Sequence, residues 1–269
     1  MTEPEIVVVA DPESAATAAA GRIVSALDSA IMRRARADWA TTGGSAPVLI
    51  YRRLVEPPLL DAVDWGAVHV WWGDDRYVPR DHPSSNVKPF EDVMLDFGSR
   101  EEGTAGGFDR GVRIAPDHVH PFPTGEAIGR GRGAAWCAAT LADELRAAGL
   151  PEVDGWPAFD LLLLGVGGDG HILSVFPGSP ALDSTELALA IPAPTHIEPH
   201  LERVTLNPAV VGAARVVLVV VTGADKAEVV ATVLGRERDP RRWPSQLARR
   251  SGATWILDEA AAAALPARS

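Results

Sequence analysis

The stretch "FDLLLLGVGGDGHILSVFPGSP", residues 159–180, decides the fold class of this chain. Its four consecutive leucines form an apolar run of strand length, and a glycine-rich turn follows them directly. A run that is apolar on both faces is typical of a parallel strand buried between two layers of helices. Gly165, Gly167 and Gly170 fit the G-x-G-x-x-G pattern of a dinucleotide-binding turn. The stretch therefore predicts a buried parallel strand that ends in a ligand-binding loop.

Apolar runs of the same kind alternate with helix-like segments along the rest of the chain. The other predicted strands are "EIVVVA" (5–10), "AVHVWWG" (67–73) and "RVVLVVVTG" (215–223). The predicted helices cover residues 13–37, 126–149 and 224–235, and Asp11 and Pro12 are suited to start the first of them. We expect an α/β fold, with a Rossmann-like, mostly parallel sheet and helices on both faces, in a single domain over residues 1–269. The glycine-rich, charged segment 97–111 is predicted to be a mobile surface loop.

Composition and charge argue against several classes of function. The 269-residue chain has a formal net charge of −11, which gives no broad electrostatic basis for binding nucleic acid. Its single cysteine, Cys137, cannot form an internal disulfide. The apolar runs are too short to span a membrane, and the first residues show neither a basic segment nor a long apolar one for export. We expect a soluble, cytoplasmic protein with a small-molecule ligand and with no nucleic-acid or membrane partner.

The residues that directly follow the predicted strands are the candidates for a binding site. Ligands of open parallel sheets bind beyond the carboxyl ends of the strands. Four segments carry polar residues or glycines near such positions: "TTGGSAP" (41–47), "WWGDDRYVP" (71–79), "GVGGDGHILSVFPG" (165–178) and "VTGADKAEVV" (221–230). We expect the site to be built from these four segments.

A nicotinamide-dependent enzyme is the first function that the glycine pattern suggests. A dinucleotide turn opens a long helix, and an acidic residue at the end of the next strand, about 20 residues on, holds the ribose. Here the Pro-Gly-Ser-Pro sequence at 177–180 cuts the helix short after Phe176, and Asp183 and Glu186 precede the next apolar run. The residues therefore disfavour a dinucleotide site.

Another set of motifs explains more of the sequence. "GGSAP", "GDDRYVP", "LLGVGGDGHILSVFPG" and the Gly-x-x-Lys of "TGADK", in this order, resemble the 6-phosphogluconolactonase family over almost the whole chain. That family is similar to the glucosamine-6-phosphate isomerases, and both have a Rossmann-like parallel sheet. The resemblance implies hydrolysis of a sugar-phosphate lactone, the δ-lactone of 6-phosphogluconate, as the second step of the oxidative pentose phosphate pathway. It also implies that the reaction uses no cofactor and no metal.

The chain departs from the usual family motifs at three places. Asp75 stands where the family usually has glutamate, "GGSAP" replaces "GGSTP", and "GHILSVFPG" replaces "GHTASLFPG". Ile172 brings the last motif closer to the isomerases, but these have an asparagine-glutamate pair that supports ring opening where this chain has Phe-Pro-Gly at 176–178. An amino-sugar-phosphate isomerase or deaminase is therefore one alternative function. A non-catalytic sugar-phosphate sensor is another, although such regulators usually carry a DNA-binding helix-turn-helix, which we do not expect here.

The residue types indicate which residues are expected to act in catalysis and which in binding the substrate. His171 is the expected general base, because an ordinary histidine pKa of about 6.5 leaves much of it neutral at pH 7, and Asp169 would fix its tautomer or orient the water. Glycines at 165, 167, 168 and 170 would turn backbone N–H groups toward the oxyanion. Arg76, Arg203 and Lys226 are the expected phosphate ligands. The full set of predicted substrate-binding residues is Gly43, Gly44, Ser45, Asp74, Arg76, Gly167, Gly168, Arg203 and Lys226.

Two further patterns bear on these expectations. The histidine pairs in "DHVH" (117–120) and "HIEPH" (196–200) show no partner cluster at metal-ligand spacing, so we expect no metal site. The segment "PVLIYRRL" (47–54) favours a strand by propensity. The family resemblance instead makes it a helix after the "GGS" loop, and we follow the resemblance.

Overall fold

Strands and helices alternate along residues 3–95 and 111–266, which are the residues described by the computed structural model. The strands are β1 Glu5–Val9, β2 Ala37–Thr41, β3 Val68–Trp72, β4 Asp74–Arg76, β5 Val119–His120, β6 Glu152–Val153, β7 Trp156–Pro157, β8 Leu161–Leu164, β9 Ala188–Ile191, β10 Arg203–Leu206, β11 Val216–Val221 and β12 Ala253–Asp258. The α-helices are α1 Pro12–Arg34, α2 Ser45–Leu54, α3 Val87–Met94, α4 Thr124–Gly129, α5 Ala134–Ala148, α6 Val210–Ala213, α7 Ala227–Val233 and α8 Glu259–Ala262. Short 3₁₀ segments occur at Leu60–Ala62, Trp65–Ala67, Pro116–His118, Pro180–Asp183, Ala224–Lys226 and Pro244–Ala248.

The central sheet has seven strands in the order β1-β12-β11-β8-β2-β3-β5. All neighbouring strands in it are parallel, which confirms the predicted α/β class with a parallel sheet. From β2 the chain adds β3 and then β5 toward one edge of the sheet. It then returns to form β8 on the other side of β2, and β11 and β12 extend the sheet toward the opposite edge. The winding direction thus reverses between β2 and β8. Such a switch point opens a crevice at the carboxyl ends of the two strands, and ligands of doubly wound sheets bind there.

A small antiparallel sheet of β4, β10 and β9 follows the carboxyl end of β3. Its strand β4 begins one residue after β3, and β10 pairs with it so that Arg203 lies opposite Arg76 and Thr205 lies opposite Asp74. Residues that are distant in sequence are therefore brought side by side next to the switch point.

The first helix begins as predicted and ends earlier. The Asp11 side chain accepts a hydrogen bond of 2.7 Å from the Ser14 N–H, so it caps α1 with Pro12 in the first turn. The predicted end at residue 37 is wrong, because Ala35 adopts a left-handed conformation (φ 55°) and stops the helix after Arg34. The alanine at position 37 already belongs to β2, a buried strand that the sequence did not distinguish from the helix.

Two other helix predictions also need correction. The segment 126–149 is two helices rather than one, since α4 ends at Gly129 and the turn before α5 contains Gly131 with a positive φ of 61°. The shortened helix expected before Phe176 is absent, and residues 165–179 form turns with one isolated bridge between Ile172 and Val175. A dinucleotide turn needs a helix at this place, so its absence removes the nicotinamide interpretation.

The conflict over residues 47–54 is resolved in favour of the helix. Helix α2 starts at Ser45 and buries Ile50, Tyr51 and Leu54 against the core. The Tyr51 hydroxyl lies 2.7 Å from Thr41 Oγ1 and donates to the Thr42 carbonyl at 3.0 Å, which ties the helix to the end of β2. Tertiary packing therefore overrides the strand propensity of the sequence.

The buried apolar side chains form one cluster around the central sheet, and Trp39, Trp71, Trp72 and Trp255 are among its largest members. Among the helices of the described chain, none combines the length and hydropathy that crossing a membrane requires. The predicted loop at 97–111 lies, except for Gly111, outside the described residues. The predicted extent of the domain, residues 1–269, also reaches beyond them at both ends and stays a prediction.

Candidate active site

A cavity of about 260 Å³ lies at the switch point of the sheet. Its lining comes from all four segments that follow β2, β3, β8 and β11, together with the loop before β10. Of the predicted site residues it contains Gly43, Gly44, Asp74, Arg76, Gly167, Gly168, His171, Arg203 and Lys226. The sheet topology thus brings together most of the site residues that were predicted from the sequence. Their roles in binding and catalysis stay predictions.

His171 and Asp169 form a hydrogen-bonded pair at the carboxyl end of β8. The Nδ1 atom of His171 lies 2.5 Å from Asp169 Oδ1, and the His171 backbone N–H donates to the same oxygen at 3.1 Å. Because an ionised carboxylate can only accept, Nδ1 carries a proton, and in the neutral imidazole Nε2 then has the free lone pair. The imidazole is 21% exposed and lies against the Phe176 ring at a centroid distance of 4.7 Å. The pair therefore presents a basic nitrogen in a partly enclosed position.

The charge on Asp169 is stabilised by its surroundings. Partial burial alone would raise the pKa of Asp169, but hydrogen bonds from His171 and His196 and the charge of a protonated His171 hold that pKa well below its usual range. Asp169 therefore stays ionised across the physiological pH range. An ionised carboxylate at this position stabilises the imidazolium that forms when His171 accepts a proton.

Two glycines of the loop after β8, Gly167 and Gly170, take part in its packing and internal hydrogen bonds. A Cβ at Gly167 would lie 2.0 Å from His171 Nδ1, so only glycine leaves room for the imidazole. The Gly167 N–H donates to the His171 carbonyl at 3.0 Å, and the Gly170 N–H donates to the Gly167 carbonyl at 2.9 Å. These two N–H groups are therefore not free for an oxyanion, which corrects the prediction for them. Within the described ranges, the Gly165 and Gly168 N–H groups have no hydrogen-bond partner, and they remain the candidate donors among these glycines.

Arg76 and Arg203 lie directly opposite each other in the β4-β10 ladder. Arg76 Nη1 donates to the Ser84 carbonyl at 2.7 Å and Arg203 Nη2 donates to the Pro199 carbonyl at 2.9 Å. In the part of the chain that the structure describes, neither guanidinium forms an ion pair with a carboxylate. Like charges directly opposite in an antiparallel pair destabilise it. Two neighbouring arginines with this arrangement are typical of a site for a bound anion.

The buried position of Arg203 strengthens this argument. Its residue surface is only 4% exposed, and burial together with the charge of Arg76 lowers the pKa of Arg203. A guanidinium nevertheless keeps its proton in proteins, so Arg203 stays positively charged although no carboxylate of the described chain forms an ion pair with it. Lys226 adds a third cation to the cavity lining, and among the described residues its Nζ has one ion pair, a distant contact of 3.7 Å with Asp225. The cavity therefore has a strongly positive part that suits a dianion.

Asp74 and Asn86 are hydrogen-bonded to each other in the cavity lining. Asp74 Oδ2 accepts from the Ser174 hydroxyl at 2.6 Å, and Asn86 Nδ2 donates to the Asp74 carbonyl at 2.9 Å and to its Oδ1 at 3.3 Å. Two acceptors on Nδ2 fix the orientation of the amide, and its Oδ1 faces Gly43 so closely that a Cβ there would lie 1.9 Å away. Asn86 therefore explains why Gly43 must be glycine, and no local sequence pattern indicates this contact.

Asp75 organises the backbone rather than pairing with the guanidinium of Arg76. Its Oδ1 accepts from the backbone N–H groups of Arg76 and Asn86, both at 2.7 Å, and its Oδ2 accepts from the Ser85 hydroxyl at 3.2 Å. Burial raises the pKa of Asp75 to about 7, although these hydrogen bonds oppose the shift. The shorter acid in place of the family's usual glutamate is thus accommodated by direct contacts with the turn at 84–86.

The raised pKa of Asp75 predicts a specific dependence of stability on pH. An acid whose pKa is higher in the folded than in the unfolded state favours folding when protonated, and this contribution is lost as pH rises from about 4 to the folded pKa. We expect the unfolding free energy of wild type to fall by a few kcal/mol relative to Asp75→Asn between about pH 4 and pH 8. Chemical denaturation of both proteins across this range measures the difference. A difference that is constant with pH contradicts the assignment.

Ser45 and three of the other histidines lie away from this cavity. Ser45 is exposed at the start of α2 and is not part of the cavity lining, so its predicted role in substrate binding lacks support from the geometry. His69, His118 and His120 stack at the β3-β5 edge, where His120 Nδ1 contacts Glu144 Oε1 at 2.6 Å. Among residues 3–95 and 111–266, no three His, Cys, Asp or Glu side chains converge in a way that would hold a metal ion.

A larger groove of about 860 Å³ lies at the β1 edge of the sheet. It is lined by apolar side chains such as Ile6, Val8 and Leu234 and contains none of the predicted site residues. The smaller cavity is the better candidate for the active site, because it has the base, the cations and the position at the switch point of the sheet.

Comparisons with known proteins agree with the fold and with the motifs. A family model described as glucosamine-6-phosphate isomerases/6-phosphogluconolactonase matches residues 10–256. A Streptomyces coelicolor protein named 6-phosphogluconolactonase is 33% identical over 264 residues, which are 98% of this chain and 95% of that protein. The structure of 6-phosphogluconolactonase from Trypanosoma brucei has a TM-score of 0.81 and 28% identity, and the match covers 99% of this chain and 100% of that one. A monomeric glucosamine-6-phosphate deaminase has a TM-score of 0.74 over 97% of this chain and 99% of its own, but its 16% identity supports the fold alone.

Proposed function

The chain belongs to the family of glucosamine-6-phosphate isomerases and 6-phosphogluconolactonases, and from that premise we propose that it hydrolyses 6-phospho-D-glucono-1,5-lactone to 6-phosphogluconate. One observation carries the proposal. The same cavity is lined by a histidine base held by a carboxylate and by two arginines without carboxylate partners in the described chain. A sugar-phosphate lactone has the two groups that such a cavity requires, an electrophilic carbonyl at one end and a phosphate dianion at the other.

His171 is the group that activates water in this proposal. Its Nε2 accepts a proton from a water molecule as the water oxygen attacks the lactone carbonyl carbon, and a tetrahedral oxyanion forms. The Gly165 and Gly168 N–H groups are our candidate donors to that oxyanion. The bond between the carbonyl carbon and the ring oxygen then breaks, and the imidazolium returns its proton to the leaving ring oxygen. Asp169 remains ionised throughout and stabilises the imidazolium.

Arg76, Arg203 and Lys226 hold the phosphate at the other end of the substrate. Binding a dianion between the two arginines removes the repulsion between their opposed charges. It also supplies acceptors for guanidinium N–H groups in a partly dehydrated site, where charge-assisted hydrogen bonds are strongest. Asp74, in the lining of the same cavity, supplies an acceptor for a sugar hydroxyl group. We place the reaction in the oxidative pentose phosphate pathway and in the cytoplasm.

The test is an assay of the purified protein with two substrates. Freshly made 6-phosphogluconolactone should be hydrolysed far faster than its spontaneous rate, as followed by acid release. Glucosamine 6-phosphate should release no ammonia, because the chain has Phe176-Pro177-Gly178 in place of the isomerases' asparagine-glutamate pair. Ammonia release without lactone hydrolysis would identify the protein as a deaminase instead. A chain that binds 6-phosphogluconate but is inactive with both substrates would be a sensor.

Hydrolysis should not depend on a metal ion. The lactone carbonyl is already electrophilic, and the general base comes from a side chain, so no Lewis acid is required in the proposed steps. We expect kcat to be unchanged after exhaustive treatment with EDTA, measured against an untreated sample. Loss of activity with EDTA and recovery with zinc or manganese would show that the mechanism is wrong.

A further inference from the structure

A second histidine holds the carboxylate of the Asp169-His171 pair. His196 Nε2 lies 2.8 Å from Asp169 Oδ2, whereas both hydrogen bonds from His171 reach Oδ1. Asp169 therefore bridges two imidazoles, one on each of its oxygens. His196 comes from the loop between β9 and β10, which also contributes Ile197 and Glu198 to the cavity lining.

The bridge controls the orientation of the Asp169 carboxylate. The terminal torsion of an aspartate is broad, so a carboxylate held through one oxygen can rotate about its Cβ–Cγ bond. The contact to His196 fixes the second oxygen, and Oδ1 is thereby kept in line with the Nδ1–H of His171. Phe176 supports both rings, because it lies 4.7 Å from the His171 ring and 5.7 Å, edge to face, from the His196 ring.

We propose that His196 is a positioning residue for the hydrolysis, which acts through Asp169 and sets the orientation and tautomer of His171. This inference rests on the proposed function, since it concerns the same base. His196 is half exposed and reaches Asp169 from outside the cavity lining, so its loss should affect the base more than the phosphate end of the site. The effect should thus be on kcat rather than on KM.

Three variants separate positioning of the base from a general loosening of the loop. His196→Ala removes the donor to Asp169. His196→Gln places an amide N–H where Nε2 was and should restore the contact. His200→Ala is the matched control, because His200 lies on the same loop and contacts Pro194 O at 2.7 Å and Glu198 at 3.0 Å but not Asp169.

We expect His196→Ala to lower kcat about tenfold, the usual worth of one hydrogen bond to a charged group at a half-exposed site, with KM within about twofold of wild type. His196→Gln should recover most of the loss, and His200→Ala should keep the wild-type kcat. A wild-type kcat in His196→Ala overturns the proposal. So does an equal loss in His200→Ala, or a His196→Gln variant no better than His196→Ala.

A measurement without substrate keeps the inference independent of the proposed function. The proton between His171 Nδ1 and Asp169 Oδ1 should give a downfield proton resonance, because the hydrogen bond is short and charge-assisted. We expect this resonance to be sharp in wild type and His196→Gln, and to be broadened or lost in His196→Ala. An unchanged resonance in His196→Ala contradicts the role of His196 even if the protein hydrolyses the lactone. A wild type inactive with the lactone would refute the function while this resonance still tests the bridge.

Discussion

His171→Asn should lower kcat for 6-phosphogluconolactone by roughly 10²–10⁴, the usual contribution of a general base. The asparagine amide N–H occupies the place of Nδ1 and keeps the contact to Asp169, but nothing then replaces the basic Nε2. The variant thus removes the base while it preserves the neighbouring hydrogen bond. Steady-state rates measured above the spontaneous hydrolysis of the lactone give the loss.

The control for His171→Asn is binding of the product. Affinity for 6-phosphogluconate, measured by calorimetry, should stay within a few-fold of wild type, because the phosphate ligands are unchanged. An unaltered kcat would place the base elsewhere in the cavity. A loss of product binding as large as the loss of kcat would mean that the substitution disrupts the site as a whole.

Lys226→Met should raise KM for the phosphorylated lactone about 10- to 150-fold, with a small effect on kcat. Each charge-assisted hydrogen bond to the phosphate is worth roughly 1.5–3 kcal/mol, which gives this range. The phosphate is remote from the carbonyl and its charge does not change during attack, so its binding stabilises ground state and transition state alike. Lys226 is the most informative of the three cations to remove, because its only ion pair within the described residues is the distant one to Asp225.

Unphosphorylated gluconolactone provides the internal reference for Lys226→Met. It should be a poor substrate of wild type, and its kcat/KM should not change in the variant, so that the gap between the two lactones narrows. Lys88→Met is the matched control for loss of one positive charge, because Lys88 lies on α3, pairs with Asp92 at 2.6 Å and does not line the cavity. If Lys226→Met slows both lactones by the same factor, the residue does not bind the phosphate.

Much of the fold could be predicted because its signals are local. The runs at 5–10, 67–73, 161–164 and 215–223 are apolar on both faces and become strands of the parallel sheet. The position of the site follows from them, since the loops after such strands meet at one edge. Strand β2 could not be predicted from the sequence, because "ADWAT" is short and closely follows an alanine-rich helix. The turn between α4 and α5 is not predictable for a similar reason, since the sequence on both sides of it is helical.

The decisive contacts of the site depend on tertiary structure and could not be predicted. Arg76 and Arg203 were both named as cations, but their direct opposition follows from the register of β4 and β10. The sequence pattern around His196 suggests at most a metal ligand, because nothing in its local sequence indicates a contact with Asp169. No local pattern marks Asn86, and its contact with Gly43 depends on the packing of two loops that are distant in sequence. Local sequence patterns thus identify candidate site residues, whereas the topology of the fold determines which residues they contact.

A crystal structure with bound 6-phosphogluconate tests the central claim most directly, because the claim is that one substrate spans the cavity from the arginines to His171. We predict that the phosphate lies between the guanidinium groups of Arg76 and Arg203, with Lys226 in contact. The product carboxylate should lie next to His171 Nε2. A product bound with its phosphate at His171, or bound outside this cavity, would contradict the account.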